Sequence, residues 1–308
     1  SSDYFNTKLY SGNGSAGNAV TGVGFAPNMV WIKERSSTSS HTISDTVRGI
    51  GKRVNPNLTS AEETLANLMT SFDSDGFTNG ADNGVNQSGQ TYASWNWNGG
   101  TVAGSANTDG SISSTVSVNT TSGFSIVKYT GTGSAGATVG HGLGTTPSMI
   151  IVKNLNSTGN WSVYHKDAFT SQAAPGVLYL NTTAGKANDT NVWGNSTVTI
   201  NNSVFSLGDY PHTNGSGNSH IAYVFAEKQG FSKFGNYLGN GNANGAFAYT
   251  GFKPAFVMIK STGTNHWIIA DNKRNTFNLV DNKLLANESD AHEIGTGNTM
   301  DFYQWVLS

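Results

Sequence analysis

Apolar residues along this chain fall into short runs, and three of those runs share one design. Pro27-Asn28-Met29-Val30-Trp31-Ile32-Lys33, Pro147-Ser148-Met149-Ile150-Ile151-Val152-Lys153 and Pro254-Ala255-Phe256-Val257-Met258-Ile259-Lys260 each pass from a proline through five mostly apolar residues to a lysine. Hydrophobic character at consecutive positions suits a strand covered on both faces. A proline suits the first residue of such a strand, where no ladder N–H is required. The pattern predicts the central strand of a domain that occurs three times.

The spacing around these runs repeats as well. A Tyr-x-Gly-x-Gly element begins at Tyr10, Tyr129 and Tyr237, and the key proline follows 17, 18 and 17 residues later. Its glycines predict hairpin turns, since glycine accepts positive φ. After each central run comes a stretch with period-two spacing: His41, Ile43 and Asp45, then Trp161, Val163 and His165, then Trp267, Ile269 and Asp271. That period predicts a second strand. Farther on, Asn86 and Asn214 each open an Asn-x-Ser-Gly turn, six residues before Tyr92–Trp97 and His220–Phe225. There Ala93, Trp95 and Trp97 alternate with Ser94 and Asn96, and Ile221, Tyr223 and Phe225 hold the same register. This predicts a half-buried strand with an aromatic inner face. Trp31, Trp95, Trp97, Tyr223 and Phe225 are therefore the expected structural core.

The fold class that follows is all-β: tandem antiparallel β-sandwiches of jelly-roll-like type, the third copy incomplete. The expected division is 1–100, a flexible linker of mostly small and polar residues over 101–110, then 111–229 and 230–308. In the third copy Pro254 lies 54 residues before the last residue, whereas the Asn-x-Ser-Gly turns lie 59 and 67 residues after the first two prolines. The last two strands of that copy are thus expected to fall outside it, leaving an open sheet edge. One helix is expected, in the first copy only. Ser60-Ala61-Glu62-Glu63 fits a capping box, and Leu65, Leu68 and Met69 follow at helical spacing.

Composition narrows the function classes. Charged residues make up 12% of the 308 positions and the formal net charge is −2, so neither nucleic acid nor membrane insertion is expected. Glu34, Glu62, Glu63, Glu227, Glu288 and Glu293 share no register and read as solvated acids. The histidines show no metal-ligand spacing. Asp73-Ser74-Asp75-Gly76 faintly resembles a calcium loop but lacks the distal glutamate and reads as a turn. No catalytic residue, metal or cofactor is expected. Trp161 and Trp267 share a repeat position and read as core. Trp193 has no counterpart in the other copies and is the candidate for glycan contact, because indole faces stack on sugar rings.

Tyr4–Tyr10, Gly22–Phe25, Pro27–Lys33, Asp45–Gly49, Ser71–Phe77, Thr91–Trp97, Gly123–Tyr129 and Ser219–Glu227 together resemble a repeated domain of unknown function from virion proteins of tailed, often marine, bacteriophages. The resemblance covers essentially the whole chain and implies a structural protein, not an enzyme, exposed on the virion surface. It points to a tail-fibre or adhesin type that contacts host surface glycans. A capsid decoration protein is the alternative, and a polysaccharide depolymerase is a reading from another class. The implied partners are other copies of the chain, as a homotrimer, other virion proteins and host surface polysaccharide.

Overall fold

The computed structural model describes residues 3–100, 103–168, 176–195, 197–242, 244–294 and 300–303. The chain is all-β. Its first part holds β1 (Phe5–Ser11), β2 (Asn18–Thr21), β3 (Met29–Glu34), β4 (Thr42–Asp45), β5 (Lys52–Arg53), β6 (Glu63–Thr64), β7 (Met69–Asp73), β8 (Gly76–Asn79), the helical turn α1 (Asn83–Asn86) and β9 (Thr91–Trp97). The second holds β10 (Ser105–Asn107), β11 (Ser114–Asn119), β12 (Phe124–Thr130), β13 (Ala137–Gly140), β14 (Met149–Asn154), β15 (Ser162–His165), β16 (Gly176–Tyr179), β17 (Ala187–Asn188), α2 (Thr190–Trp193), β18 (Val204–Leu207), α3 (Pro211–Asn214) and β19 (Ser219–Phe225). The third holds β20 (Phe256–Lys260), β21 (Trp267–Asp271), β22 (Asn282–Leu285) and β23 (Glu293–Ile294).

Three large sheets result. The first runs β1-β9-β3-β4, the second β10-β11-β12-β19-β14-β15-β16-β17, and the third β20-β21-β22-β23. All their pairings are antiparallel. The registers match: Trp31 faces Trp95 across β3 and β9, and Ile151 faces Tyr223 across β14 and β19. A smaller sheet lies over each of the first two, β2-β8-β7 over the first and β13-β18 over the second.

Two of the three central strands, β3 and β14, are covered on both faces, as their sequence predicts, and β20 is only half-buried. Every residue of β3 and β14 is buried. Val30 and Ile32 point into a local core with Val20, Phe77 and Tyr92, while Ile150 and Val152 join Val139, Phe205 and Trp193. The opposite faces do not belong to either sandwich. Met29, Trp31 and Trp95 of the first sheet, Ile151, Tyr223 and Trp161 of the second, and Trp267 and Ile269 of the third form one shared core. The aromatic face that reads as a sandwich interior is thus the face each sheet turns toward the other two. Ser94 and Asn96, on the other side of β9, are fully buried as well. Asn96 Nδ2 meets that burial by donating to Asn6 O at 3.0 Å and Ser94 Oγ at 3.1 Å.

Of the five expected core residues, Trp31, Trp95 and Tyr223 are buried, and Trp97 and Phe225 are half-buried. The Trp97 ring lies 4.9 Å from Phe5, 6.4 Å from Phe225 and 5.7 Å from Phe256, so it meets all three sheets at the rim of the core.

Two local expectations are corrected, and a third gains a structural role. Residues 60–69 form no helix; Glu63–Thr64 is β6. Arg48 binds Glu62 at 3.2 Å and Arg53 binds Glu63 at 2.8 Å, and these pairs hold the segment extended against β5. The 101–110 stretch is not a free linker, because Ser105–Asn107 is hydrogen-bonded to β11 as an edge strand. Asn86 and Asn214 open the expected turns, with Ser88-Gly89 and Ser216-Gly217 at the tips, and both amides are buried. Asn86 is buried, accepts from Asn13 N at 2.9 Å and donates to Ser15 O and Gly80 O at 2.8 Å. Asn214 accepts from Thr132 N at 2.8 Å and donates to Ser134 O at 2.9 Å and Gly208 O at 2.7 Å. Each amide clamps the Tyr-x-Gly-x-Gly turn to the loop before the aromatic strand. Gly12 is required there by proximity, since a Cβ would lie 2.1 Å from Gln87 O.

Truncating the shared core tests this arrangement. Trp95→Ala should cost about 3–5 kcal/mol, as for a fully buried aromatic, and Trp97→Ala clearly less. Chemical denaturation of the two variants measures the difference. Equal costs would place the two rings in equivalent surroundings and contradict the shared core.

Candidate functional site

The most heavily built part of the molecule is the set of junctions where the three sheets meet. Each junction is made by the same positions in turn. Ser39 N donates to Ser289 O, Gly159 N to Thr59 O and Asn265 N to Thr183 O, all at 2.8 Å. Glu62 N donates to Leu155 O at 3.0 Å, Lys186 N to Thr262 O at 2.8 Å and His292 N to Arg35 O at 3.0 Å. Across one junction the second sheet meets the first, across the next the first meets the third, and across the last the third meets the second. The cycle closes within one chain.

Ring N–H groups add a third set. Trp161 Nε1 donates to Asn55 O at 3.1 Å and Trp267 Nε1 to Tyr179 O at 3.0 Å. His41 takes the same place in the first sheet, its Nε2 lying 3.0 Å from Leu285 O. An asparagine seats each of these residues: Asn57, Asn181 and Asn287 accept from the backbone N–H of His41, Trp161 and Trp267 at 2.8–3.0 Å. Trp161 and Trp267 are buried, which agrees with their reading as core.

A buried ion pair strengthens two of the three junctions. Asp45 accepts from Arg48 Nε at 2.5 Å and from the Tyr223 hydroxyl, across the junction, at 2.8 Å. Asp271 accepts from Arg274 Nε at 2.6 Å and from Trp95 Nε1, across the next junction, at 3.0 Å. Arg274 also lies 5.7 Å from the centre of the Trp95 ring, within cation–π range. Burial opposes the charge on Arg48, but the Asp45 carboxylate outweighs it and raises the guanidinium pKa. Around Arg274 burial prevails and the pKa falls, in keeping with an Nη1 that has no hydrogen-bond partner. In the second sheet the matching positions are His165 and Ala168, and the pair is replaced.

The lysines that end the central strands are also spent on structure. Lys33 and Lys153 are fully buried, and burial lowers both to about 8. Lys153 Nζ donates to Gly159 O at 2.7 Å and, across the junction, to Thr59 O at 2.8 Å.

Trp193, the expected glycan contact, is fully buried in the core between the second sheet and β13-β18, with Tyr164 edge-on at 6.0 Å. It has no counterpart because α2 carries it inward at a point where the first part of the chain has no helix. An indole so enclosed presents no face to a sugar. Asp75, in the calcium-like turn, accepts from Gly22 N at 2.9 Å and Gly24 N at 2.6 Å, and those bonds lower its pKa. Among the described residues no group of three or more histidines and carboxylates is placed to hold a metal.

His41 makes one junction sensitive to acid. Trp31 Nε1 donates to His41 Nδ1 at 2.8 Å, so Nδ1 is the acceptor and Nε2 carries the proton toward Leu285. A second proton would face the Trp31 N–H. Burial, with the nearby Lys33 charge, lowers the His41 pKa to about 3. A depressed pKa means that the unfolded chain takes up the proton first. The stability His41 contributes is therefore complete above about pH 6.5 and is lost as pH falls toward 3, by up to about 1.4 kcal/mol per pH unit. His41→Gln keeps a donor for Leu285 and should flatten the acid limb of a stability–pH curve measured by denaturation. Superimposable curves for the two proteins would rule this out.

No curated protein and no solved structure matches the chain. A family model does, over residues 1–304, and the chain belongs to that family, the domain of unknown function DUF7483.

Proposed function

We propose that this chain is a non-enzymatic structural protein of a bacteriophage particle, exposed at its surface and of tail-fibre or adhesin type. The observation that carries the reading is the use of the chemically strongest side chains. Asp45, Arg48, Tyr223, Asp271, Arg274 and His41 are buried against one another and against backbone carbonyls of a neighbouring sheet. Their chemistry is committed to holding sheets together. One chain also supplies, in a closed cycle of three sheets, the geometry that a homotrimer would supply with three chains. Such a body suits the axis of a fibre or another threefold site on a particle. Its partners in this reading are other virion proteins and host surface polysaccharide, contacted elsewhere than at Trp193.

Labelled antibodies against the purified chain, viewed on particles by electron microscopy, test the proposal. Label at the tail is the expected outcome, label over the head would favour a decoration protein, and unlabelled particles would overturn the reading. Incubation with host envelope polysaccharide should release no sugar; release would make the protein a depolymerase.

A further inference from the structure

The junctions match position by position, and at one of them the charges do not. The residue two places after each central lysine, Leu155, Arg35 or Thr262, accepts through its carbonyl from the backbone N–H of Glu62, His292 or Lys186. Each of those donors stands five places after the asparagine that seats a ring donor: Asn57, Asn287 or Asn181. Three places after the residue that ends the second strand comes Arg48 at the second–first junction and Arg274 at the first–third junction. At the third–second junction Ala168 holds that place, with no guanidinium to satisfy. At the second–first junction the set is complete. Arg48 Nη1 lies 3.2 Å from Glu62 Oε2, Lys52 Nζ lies 3.5 Å from Glu62 Oε1, and Leu155 adds no charge.

At the first–third junction His292 stands where Glu62 does and Arg35 where Leu155 does, so an acid is lost and a cation gained. The Arg274 side chain is fully buried, yet its Nη1 has no hydrogen-bond partner. Arg35 Nε and His292 Nδ1 are likewise buried without a partner. All 19 Asp and Glu residues of the chain are among those described; none forms an ion pair with Arg35, and only Asp271 does with Arg274. The three groups are near enough to feel one another. Burial lowers the pKa of Arg35, and the Arg274 charge adds to it; burial lowers that of His292, and the Arg35 and Arg274 charges add to it.

We propose that the first–third junction binds a carboxylate from outside the chain, seated on Arg274 Nη1 between Arg35 and His292, in the part that Glu62 plays on Arg48. A buried donor left unmet is costly, and a charge-assisted bond to it is strong, so both effects favour occupancy. The guanidinium fork matches a planar carboxylate, which sets the chemical class. Arg35 and His292 are half-buried, so the group reaches Arg274 from the surface between them. Two sources carry such a group: a small free carboxylate, and a uronic acid of a polysaccharide. The second source rests on the glycan-contacting role proposed above; the site itself does not.

The test titrates the whole chain near neutral pH with sodium acetate, sodium glucuronate and a glucuronate oligosaccharide, at an ionic strength held constant with sodium chloride. The Nε–H resonance of Arg35 should shift saturably, and the melting temperature should rise along the same curve. Binding of the oligosaccharide about tenfold or more tighter than acetate would make the source a polysaccharide; equal binding would make it a small carboxylate. Arg35→Leu, which installs the residue of the matching position in the second sheet, should weaken binding by about tenfold. His292→Glu gives the junction a carboxylate of its own, so this variant should melt higher than the native chain without ligand and lose the response to acetate. Absence of a saturable shift, a response that chloride reproduces, undiminished binding by Arg35→Leu, or an unchanged response in His292→Glu would each overturn the proposal.

Discussion

A strand that is apolar at every position needs cover on two sides, and that constraint organises the molecule. The small sheets cover one side of β3 and β14, and nothing within the same sandwich reaches the other. The second faces find cover only in one another, so Trp31, Trp95, Ile151, Tyr223, Trp267 and Ile269 share a single core. Such a core is cooperative by construction. Removing one sheet would expose the inner faces of the other two, at about 25 cal/mol for each Å² of apolar surface returned to water. Tandem β-sandwiches are ordinarily pictured as beads; here the beads have given up part of their interiors to one another.

Bringing three sheets to one centre also buries polar groups, and their satisfaction decides the details. A buried charge that loses its partner costs several kcal/mol, whereas replacing both partners together is often nearly neutral. That asymmetry accounts for the second sheet. Where the first and third carry Asp45 with Arg48 and Asp271 with Arg274, the second carries His165 with Ala168, so neither member of the pair is left alone. The change falls at the one junction where, among the described residues, no ring donor arrives from the neighbouring sheet. His165 keeps the local part of the pattern: its Nδ1 accepts from Asp167 N at 3.2 Å, as Asp45 accepts from Val47 N at 3.1 Å.

Much of the fold was legible in the sequence because strand signals are local. The proline-to-lysine runs became β3, β14 and β20, the period-two runs became β4, β15 and β21, and the aromatic alternations became β9 and β19. What the sequence hid depends on residues far apart in the chain. Glu62 and Glu63 satisfy a helical capping pattern, yet Arg48 and Arg53 claim them for an extended segment. Ser94 and Asn96 alternate like a solvent-facing row, yet a second sheet covers them. Trp193 looks free because nothing in the other parts of the chain matches it, and it is enclosed for the same reason: α2 is a local departure that fills its own core. The candidate junctions left only one trace in the sequence, the shared register of His41, Trp161 and Trp267. Their outward N–H bonds could not be read without the neighbouring sheets.

The three junctions are alike in backbone and unlike in chemistry, and this unlikeness gives them separate responses. Backbone-to-backbone bonds recur at all three with lengths of 2.8–3.0 Å, so the frame is common. On that frame the ring donor is an indole twice and an imidazole once. An indole N–H does not titrate in the range where proteins fold, and an imidazole does. The ion pair is present twice and absent once, where β20 also has β21 as its one strand neighbour among the described residues. A closed cycle can tolerate such inequality because each sheet is held by two junctions. Weakening one by protonation, or leaving one partly uncovered, still leaves every sheet anchored through the others. The first–third junction and the third–second junction are therefore the places where this molecule can change without coming apart, and both have the third sheet as their common member.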